Sequence, residues 1–327
     1  MSGVLLGVDV GGTTTAAGLV TAEGEVLLEE SAPTHGAGPA TSWRTIVTLI
    51  ERVRRGADAR GLAIHGIGVG IPGVVDAPAG RVGDEAPHVE DLRNSPVASR
   101  LTDRFGLPTF VDNDVNALAL AEHFFGLGRG VPSLVVLAPG TGFGSGIVLD
   151  GRLVRGAHGF GGELGHVPVK FDGAPCFCGG RGCLAAYASG RGVVERARDR
   201  VAGHAGATLL RRAGGDPMAI TAPLVFEAAA SGDVESGAVV DEACRALGAI
   251  IAVVVNGLNP DVVVVTGGVA AAYAPLERTV LRHAGEHAFA RALAGTTVRV
   301  VPGDKRLTMR GAAALVRYET ELKSRPR

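Results

Sequence analysis

The stretch Val4-Leu5-Leu6-Gly7-Val8-Asp9-Val10-Gly11-Gly12-Thr13-Thr14-Thr15-Ala16-Ala17-Gly18-Leu19-Val20 decides the fold. The apolar run from Val4 to Val10 predicts a buried strand, Gly11-Gly12-Thr13 a tight turn, and Thr14 to Val20 a returning strand. The same theme recurs further on. Ser133 to Ala138 is apolar, Pro139-Gly140-Thr141-Gly142 is a turn, and Phe143 to Leu149 returns, followed by the hairpin signal Asp150-Gly151. A strand, a Gly-Thr turn and a strand, once near the start of each half, predict two similar domains facing across a cleft.

Working outward, Gly24 marks a turn before a third strand over Glu25 to Glu30, which completes a β-meander. Trp43 to Arg60 carries Ile46, Val47, Ile50 and Val53 at helical spacing. Ile64 to Ile71 reads as a strand ended by Pro72-Gly73, Val97 to Phe105 as a short helix, Thr109 to Asp112 as a strand and Asn113 to Phe125 as a helix. A mostly helical stretch is expected from Gly190 to about Gly257, then a strand over Asp261 to Thr266, a turn at Gly267-Gly268 and a terminal helix over Arg310 to Glu321. The expected domains are 1–118 plus 304–327, with the terminal helix packing back, and 119–303.

Composition narrows the class of function. A chain of 327 residues suits two domains, and 46% hydrophobic with 20% charged residues describes a folded globular protein. A net charge of -1 removes any global electrostatic reason to expect nucleic acid or an anionic membrane as partner. The N-terminus has no basic leader and Asp9 interrupts its apolar run, so it reads as a strand and not as a signal peptide. No stretch approaches the roughly 18 apolar residues of a membrane span.

Three of the four cysteines fall within Cys176-Phe177-Cys178-Gly179-Gly180-Arg181-Gly182-Cys183, ten residues after His166. Three thiolates and one imidazole make a full tetrahedral shell for zinc with no position left for water, so the expected site is structural. Buried free thiols are the plainer alternative, and the clustering argues against it. With Cys244 then alone, no disulfide framework is indicated, and a reducing cytoplasm is the expected setting.

Other motifs carry chemistry. Asp9-Val10-Gly11-Gly12-Thr13-Thr14 joins a carboxylate to a glycine turn with hydroxyls, which suits phosphate, and the Asp suits magnesium. An ordinary hairpin is the alternative. The second turn, Gly140-Thr141-Gly142, favours phosphate, because two such turns from two domains can grip one polyphosphate. Neither is a Walker loop or a Rossmann fingerprint, since no helix of the required spacing follows the first turn. Thr266-Gly267-Gly268 follows four valines and suits a nucleoside laid against backbone. Val111-Asp112-Asn113-Asp114-Val115-Asn116 lies at a strand-to-helix junction. One helix cap explains one of its polar residues but not four. A carboxylate there is placed to take a proton from a hydroxyl that attacks a phosphoryl group. Glu163 and His166, three apart, can face one polyol.

Together these residues resemble the ROK family of bacterial sugar kinases and repressors, over essentially the whole chain. The resemblance rests on the first glycine turn, Ile71-Pro72-Gly73-Val74-Val75-Asp76, Asn113-Asp114-Val115-Asn116, Gly140-Thr141-Gly142, Gly162-Glu163-Leu164-Gly165-His166, the cysteine loop and Thr266-Gly267-Gly268. It implies the actin/hexokinase-like fold of two ribonuclease-H-like domains, Mg-ATP as donor, a primary hydroxyl (O6-type) of a hexose as acceptor, and a homodimer or homotetramer. It implies Asp114 as general base. Gly73, Asn113, Asp114, Glu163 and His166 would bind sugar. Asp9, Gly11, Gly12, Thr13, Thr14, Gly140, Thr141, Gly142, Gly267 and Gly268 would bind ATP and its phosphates. His166, Cys176, Cys178 and Cys183 would bind zinc.

Two departures stand out. The family has Glu two residues after the last zinc cysteine, against the sugar, where this chain has Ala185. It tends to have Asn in the loop occupied here by Ala86-Pro87-His88-Val89. Glucose is the default acceptor, and Ala185 and His88 make an amino sugar (kanosamine-like) or a C7 cyclitol the rival. Family repressors carry an N-terminal winged helix, whereas the first strand here is expected from Val4 with no basic recognition helix before it, which disfavours a DNA-binding regulator. A non-catalytic sugar sensor is the third reading, and Asp9, Asp114 and both Gly-Thr turns argue against it.

Overall fold

A computed structural model describes residues 3–36, 40–203 and 205–324. In chain order its principal elements are β1 (Val4–Val10), β2 (Thr14–Val20), β3 (Val26–Pro33), α1 (Thr41–Asp58), β4 (Ile64–Ile71), α2 (Val97–Phe105), β5 (Thr109–Asn113), α3 (Asp114–Phe125), β6 (Leu134–Pro139) and β7 (Phe143–Leu149). There follow α4 (Ala185–Ala188), α5 (Gly190–Ala202), α6 (Ala222–Ala230), α7 (Val234–Leu258), β8 (Val262–Val265), α8 (Glu277–Gly285), β9 (Thr297–Val300) and α9 (Lys305–Ser324). By contacts the chain forms two compact units, 1–132 with 146–162 and 304–327, and 133–145 with 163–303. The sequence-based division at 118/119 cuts α3, one unbroken helix. Residues 119–132 and 146–162 group with the first unit instead.

In the first unit the sheet order is β3-β2-β1-β4-β5. The first three strands form the antiparallel meander, and β4 and β5 run parallel to β1. Leu6, Val8 and Leu19 point with Ile67 and Val69 into a core closed by Ile46, Leu49, Ile50 and Val53 of α1. The opposite face takes α9. A Cβ on Gly7 would collide with the Met309 carbonyl, and one on Gly68 with that of Ala312, so glycine lets the helix lie directly on β1 and β4. Register places Asp9 opposite Gly70 of β4, and Gly70 opposite Asp112 of β5. The chemistry-bearing residues thus gather at the carboxyl ends of three neighbouring parallel strands.

In the second unit β8 lies between β6 and β9, all three parallel, with Val262 opposite Leu134 and Thr297. All four valines of β8 are buried, as expected of a strand covered on both faces. The hairpin that ends β7, within the segment 146–162 that groups with the first unit, turns through Asp150 (φ 49°) and Gly151 (φ 71°), left-handed positions that Asp tolerates and Gly favours. Both units carry the mixed α/β sheets of the actin/hexokinase-like fold. The terminal helix begins five residues before the expected Arg310, and β9 was not expected from sequence. Among the described residues, no helix is long and apolar enough to cross a membrane.

Candidate active site and metal centre

In the first unit, β1 ends at Val10 and the chain turns at once, the Gly11 N–H donating to the Thr14 carbonyl at 3.0 Å. Thr34 braces this turn. Its hydroxyl donates to the Gly11 carbonyl at 2.6 Å, its N–H donates to the Thr13 carbonyl at 2.9 Å, and its hydroxyl lies 2.9 Å from that of Thr15. Gly12, Thr13 and Thr14 are exposed, leaving their backbone open to an anion. Asp9 precedes the turn. Burial, and then the negative charge of Asp114, push its carboxyl up to about 7.

Across the sheet, β5 passes into α3 without a loop. Asn113 caps α3, its Oδ1 accepting from the N–H groups of Val115 (2.8 Å) and Asn116 (3.3 Å). Its Nδ2 donates to the Gly73 carbonyl at 3.0 Å. The cap reading of this cluster is therefore correct for Asn113, and it leaves three other polar residues to explain. Asp114 is the first helical residue, its Oδ1 accepting from Val115 N–H at 2.9 Å, where the helix dipole favours a carboxylate. Gly70 faces it, and a Cβ there would lie 3.3 Å from the Asp114 Cα. Gly73 (φ 107°) carries the chain past the Glu85 carbonyl, and the same loop brings the His88 ring to 3.4 Å from where a Gly12 Cβ would be.

Asp112 is 1% exposed. Its Oδ1 accepts from the Asn113 N–H (2.8 Å) and the Asn116 Nδ2 (2.9 Å), and its Oδ2 meets Arg155 Nε at 2.7 Å. Sequence reading singled out neither Arg155 nor Glu319, which pairs with the same guanidinium at 2.6 Å.

In the second unit the turn after β6 is closed by the Gly140 N–H donating to the Gly142 carbonyl at 2.9 Å. From behind, Gly190 N–H at the start of α5 donates to the Gly140 carbonyl (2.8 Å), and Arg191 N–H to that of Thr141 (3.2 Å). Nothing lies within 4 Å of where a Gly142 Cβ would be, so a ligand has room to approach. Gly267 (φ 140°) follows β8 and passes the Pro139 carbonyl so closely that a Cβ would lie 2.9 Å from it. Both turns thus cap the carboxyl ends of adjacent parallel strands, where α/β sheets receive ligands.

Glu163 is exposed at the start of a short 3-10 helix, Leu164–His166, whose Leu164 N–H donates to Ser145 Oγ at 3.2 Å. His166 Nδ1 lies 3.7 Å from Cys176 Sγ, and Cys178 Sγ lies 3.8 Å from Cys183 Sγ. One ligand atom from each of the four residues falls within 4.8 Å of the others. Tetrahedral zinc with Zn–S of about 2.3 Å needs sulfurs roughly 3.8 Å apart, so the donor set fits that ion. The Gly179 N–H donates to the Cys176 carbonyl at 3.0 Å, and Cys176 N–H to that of Gly180 at 2.9 Å, a tight knuckle between ligands. A backbone hydrogen bond from Gly180 holds the Cys178 thiol below its ordinary value, while burial pushes Cys183 up to about 12. Ala185, the first residue of α4, is 2% exposed.

A family model described as "ROK family" matches residues 5–319. A glucokinase of Thermotoga maritima is 36% identical over 282 residues, covering 85% of this chain and 87% of that protein. A xylose repressor of Caldicellulosiruptor bescii is 33% identical over 264 residues, 80% of this chain and 65% of the repressor. Among solved structures, a ROK family glucokinase of Streptomyces griseus in complex with glucose and AMPPNP is 33% identical with a TM-score of 0.71, covering 96% of this chain and 99% of that one.

Proposed function

This chain belongs to the ROK family and is an ATP-dependent carbohydrate kinase, and we propose that it transfers the γ-phosphoryl group to the primary, O6-type hydroxyl of a hexose, with glucose as the reference acceptor. The observation that carries this reading is the β5–α3 junction. There Asp114 opens a helix beside the capped Asn113, in the same unit as Asp9 and the first glycine turn. Asp114 accepts the hydroxyl proton as the acceptor oxygen attacks the γ-phosphorus in line, and the bond to the bridging oxygen of ADP breaks. Asn113 and Gly73 hold the reacting end of the sugar. Glu163 and the imidazole of His166 hold the hydroxyls nearer the anomeric end. His166 Nδ1 faces Cys176, which frees Nε2 for that second task. Gly11, Gly12, Thr13 and Thr14 receive phosphate, as do Gly140, Thr141 and Gly142, and Gly267-Gly268 receive the adenosine.

Asp9 would hold magnesium, directly or through water, and the ion would offset phosphate charge. Burial, and after it the charge of Asp114, raises the Asp9 pKa, and a divalent cation would offset the second of these. Zinc on His166, Cys176, Cys178 and Cys183 would supply order to the sugar-binding turn. A cytoplasmic homodimer or homotetramer is part of the same proposal.

A second reading has its own support. The family glutamate against the sugar is replaced by Ala185, buried and without polar side-chain atoms, and His88 packs beside Gly12. Losing a carboxylate removes up to two hydrogen bonds to the acceptor, about 0.5–1.5 kcal/mol each. That change favours an amino sugar or a C7 cyclitol over glucose. Magnesium-dependent ATP consumption by zinc-replete protein, across glucose, mannose, N-acetylmannosamine, fructose, glucosamine, kanosamine and a valiolone-type cyclitol, decides between them. Turnover of glucose supports the first reading. Turnover only of an amino sugar or cyclitol supports the second. No turnover of any acceptor would contradict both readings.

A further inference from the structure

The base loop is held by residues far from it in sequence, and they lie outside the sugar- and nucleotide-binding motifs. Asp112 spends one carboxylate oxygen on the loop itself, on Asn113 N–H and Asn116 Nδ2. Its other oxygen faces the Arg155 guanidinium, with Nε and Nη2 both 2.7 Å away. The Asp112 side chain is 2% exposed and that of Arg155 20% exposed, so this pair is largely shielded from water and from screening. Arg155 is fixed in turn. Its Nη2 meets Glu319 of α9 at 2.6 Å, its guanidinium lies 5.4 Å from the centre of the Tyr318 ring, and Tyr318 OH accepts from Leu153 N–H at 2.7 Å.

Geometry makes this more than a stabilising ion pair. Asn113 and Asp114 follow Asp112 directly in the chain, and Asn116 is one helical turn on. Fixing both oxygens of Asp112 therefore fixes the peptide plane from which Asn113 caps the helix, and with it the first turn of α3. Without Arg155, Oδ2 is a stranded buried charge. The carboxylate then turns toward water and draws Oδ1 off Asn113 and Asn116.

We infer that Arg155, clamped between Asp112 and Glu319, is a positioning residue that sets the place of the Asp114 carboxylate for proton transfer. The inference rests on Asp114 being the base, as proposed above. A displacement of about 1 Å at such a group costs up to about 100-fold in rate.

The test compares Arg155→Met, Arg155→Lys, Glu319→Gln and the charge-balanced pair Asp112→Asn with Arg155→Met. Turnover is measured per ATP-binding site counted by calorimetry, with Asp114→Asn as control. Arg155→Met is expected to lower kcat about 10- to 100-fold with the KM for ATP within about twofold of the parent. Arg155→Lys should recover part of the loss, because it restores the charge without the fork. Glu319→Gln leaves the Asp112 contact in place and should cost less than about threefold. The double variant removes the stranded charge, so it should fold even where the single variant does not. Its kcat should still be about tenfold low, since the amide introduced at position 112 has no clamp. Parent-like kcat per site in Arg155→Met or in the double variant, with only the melting temperature reduced, overturns the inference. An active Asp114→Asn control would instead overturn the base assignment, and the inference with it.

Discussion

Two loops of this protein are ordered by different means. The Asp112–Asn116 junction is held by the chain's own hydrogen bonds and by an ion pair to Arg155, beneath a core packed on both sides of a five-stranded sheet. The 166–183 segment has two isolated bridges, Pro168 with Cys183 and Pro175 with Arg181, and exposed Phe171 and Phe177 in place of a core. Backbone hydrogen bonds tie it locally, Val169 N–H to the Gly182 carbonyl and Gly182 N–H to that of Ala174, both at 2.8 Å, and three sulfurs and one imidazole nitrogen converge within it. The first loop is thus set by folding, and the second also presents four ligand atoms to an ion. Damage to each should look different.

The largest effect is expected at the self-ordered loop. Asp114→Asn should lower kcat by about 10²–10⁴-fold and leave ATP binding and amide-exchange protection over 166–183 as in the parent. Steady-state kinetics with calorimetric ATP titration checks this, and activity within tenfold of the parent would remove Asp114 as base. Next comes removal of the zinc proposed for the 166–183 loop, by chelation or by Cys178→Ser. Amide exchange should rise over 166–183 while β5 and α3 stay protected, and acceptor affinity should fall about tenfold or more. Uniform loss of protection over both loops would break the comparison.

A smaller effect concerns pH. The folded protein raises Asp9 from its ordinary 3.8 to about 7, so the protonated form favours folding. Its contribution is full below about pH 4 and is lost as pH rises through about 7. Without magnesium, the melting temperature of the parent should therefore fall relative to Asp9→Asn between those values. Magnesium should diminish the difference. Scanning calorimetry of both proteins across that range reads the sign directly. The smallest effect is Ala185→Glu, which should raise kcat/KM for glucose roughly two- to tenfold, the worth of one hydrogen bond. An unchanged or lower value would end the account given for that position.

How much was legible beforehand follows the same division. Ile64–Ile71 and Val97–Phe105 were readable to the residue, because an apolar run stopped by Pro72-Gly73 and an amphipathic turn stopped by Gly106 are local signals. Thr297–Val300 was not, because four residues with Thr297 and Arg299 exposed show only two apolar positions, and the strand exists through pairing with β8. The polar cluster at 112–116 and the cysteine cluster stood out because their members are neighbours in sequence. Arg155 did not, since its partners lie 43 and 164 residues away and an isolated arginine carries no pattern. The bracing of the first glycine turn by Thr34 was hidden for the same reason.

The central claim is phosphoryl transfer from ATP to a primary hydroxyl. Phosphorus NMR of the products formed from Mg-ATP and each turned-over acceptor tests it most directly. The account predicts ADP together with a phosphomonoester whose phosphorus couples to the two protons of the acceptor's CH2OH carbon. A phosphomonoester on the anomeric or a ring hydroxyl, or ATP left intact with every acceptor, would contradict it.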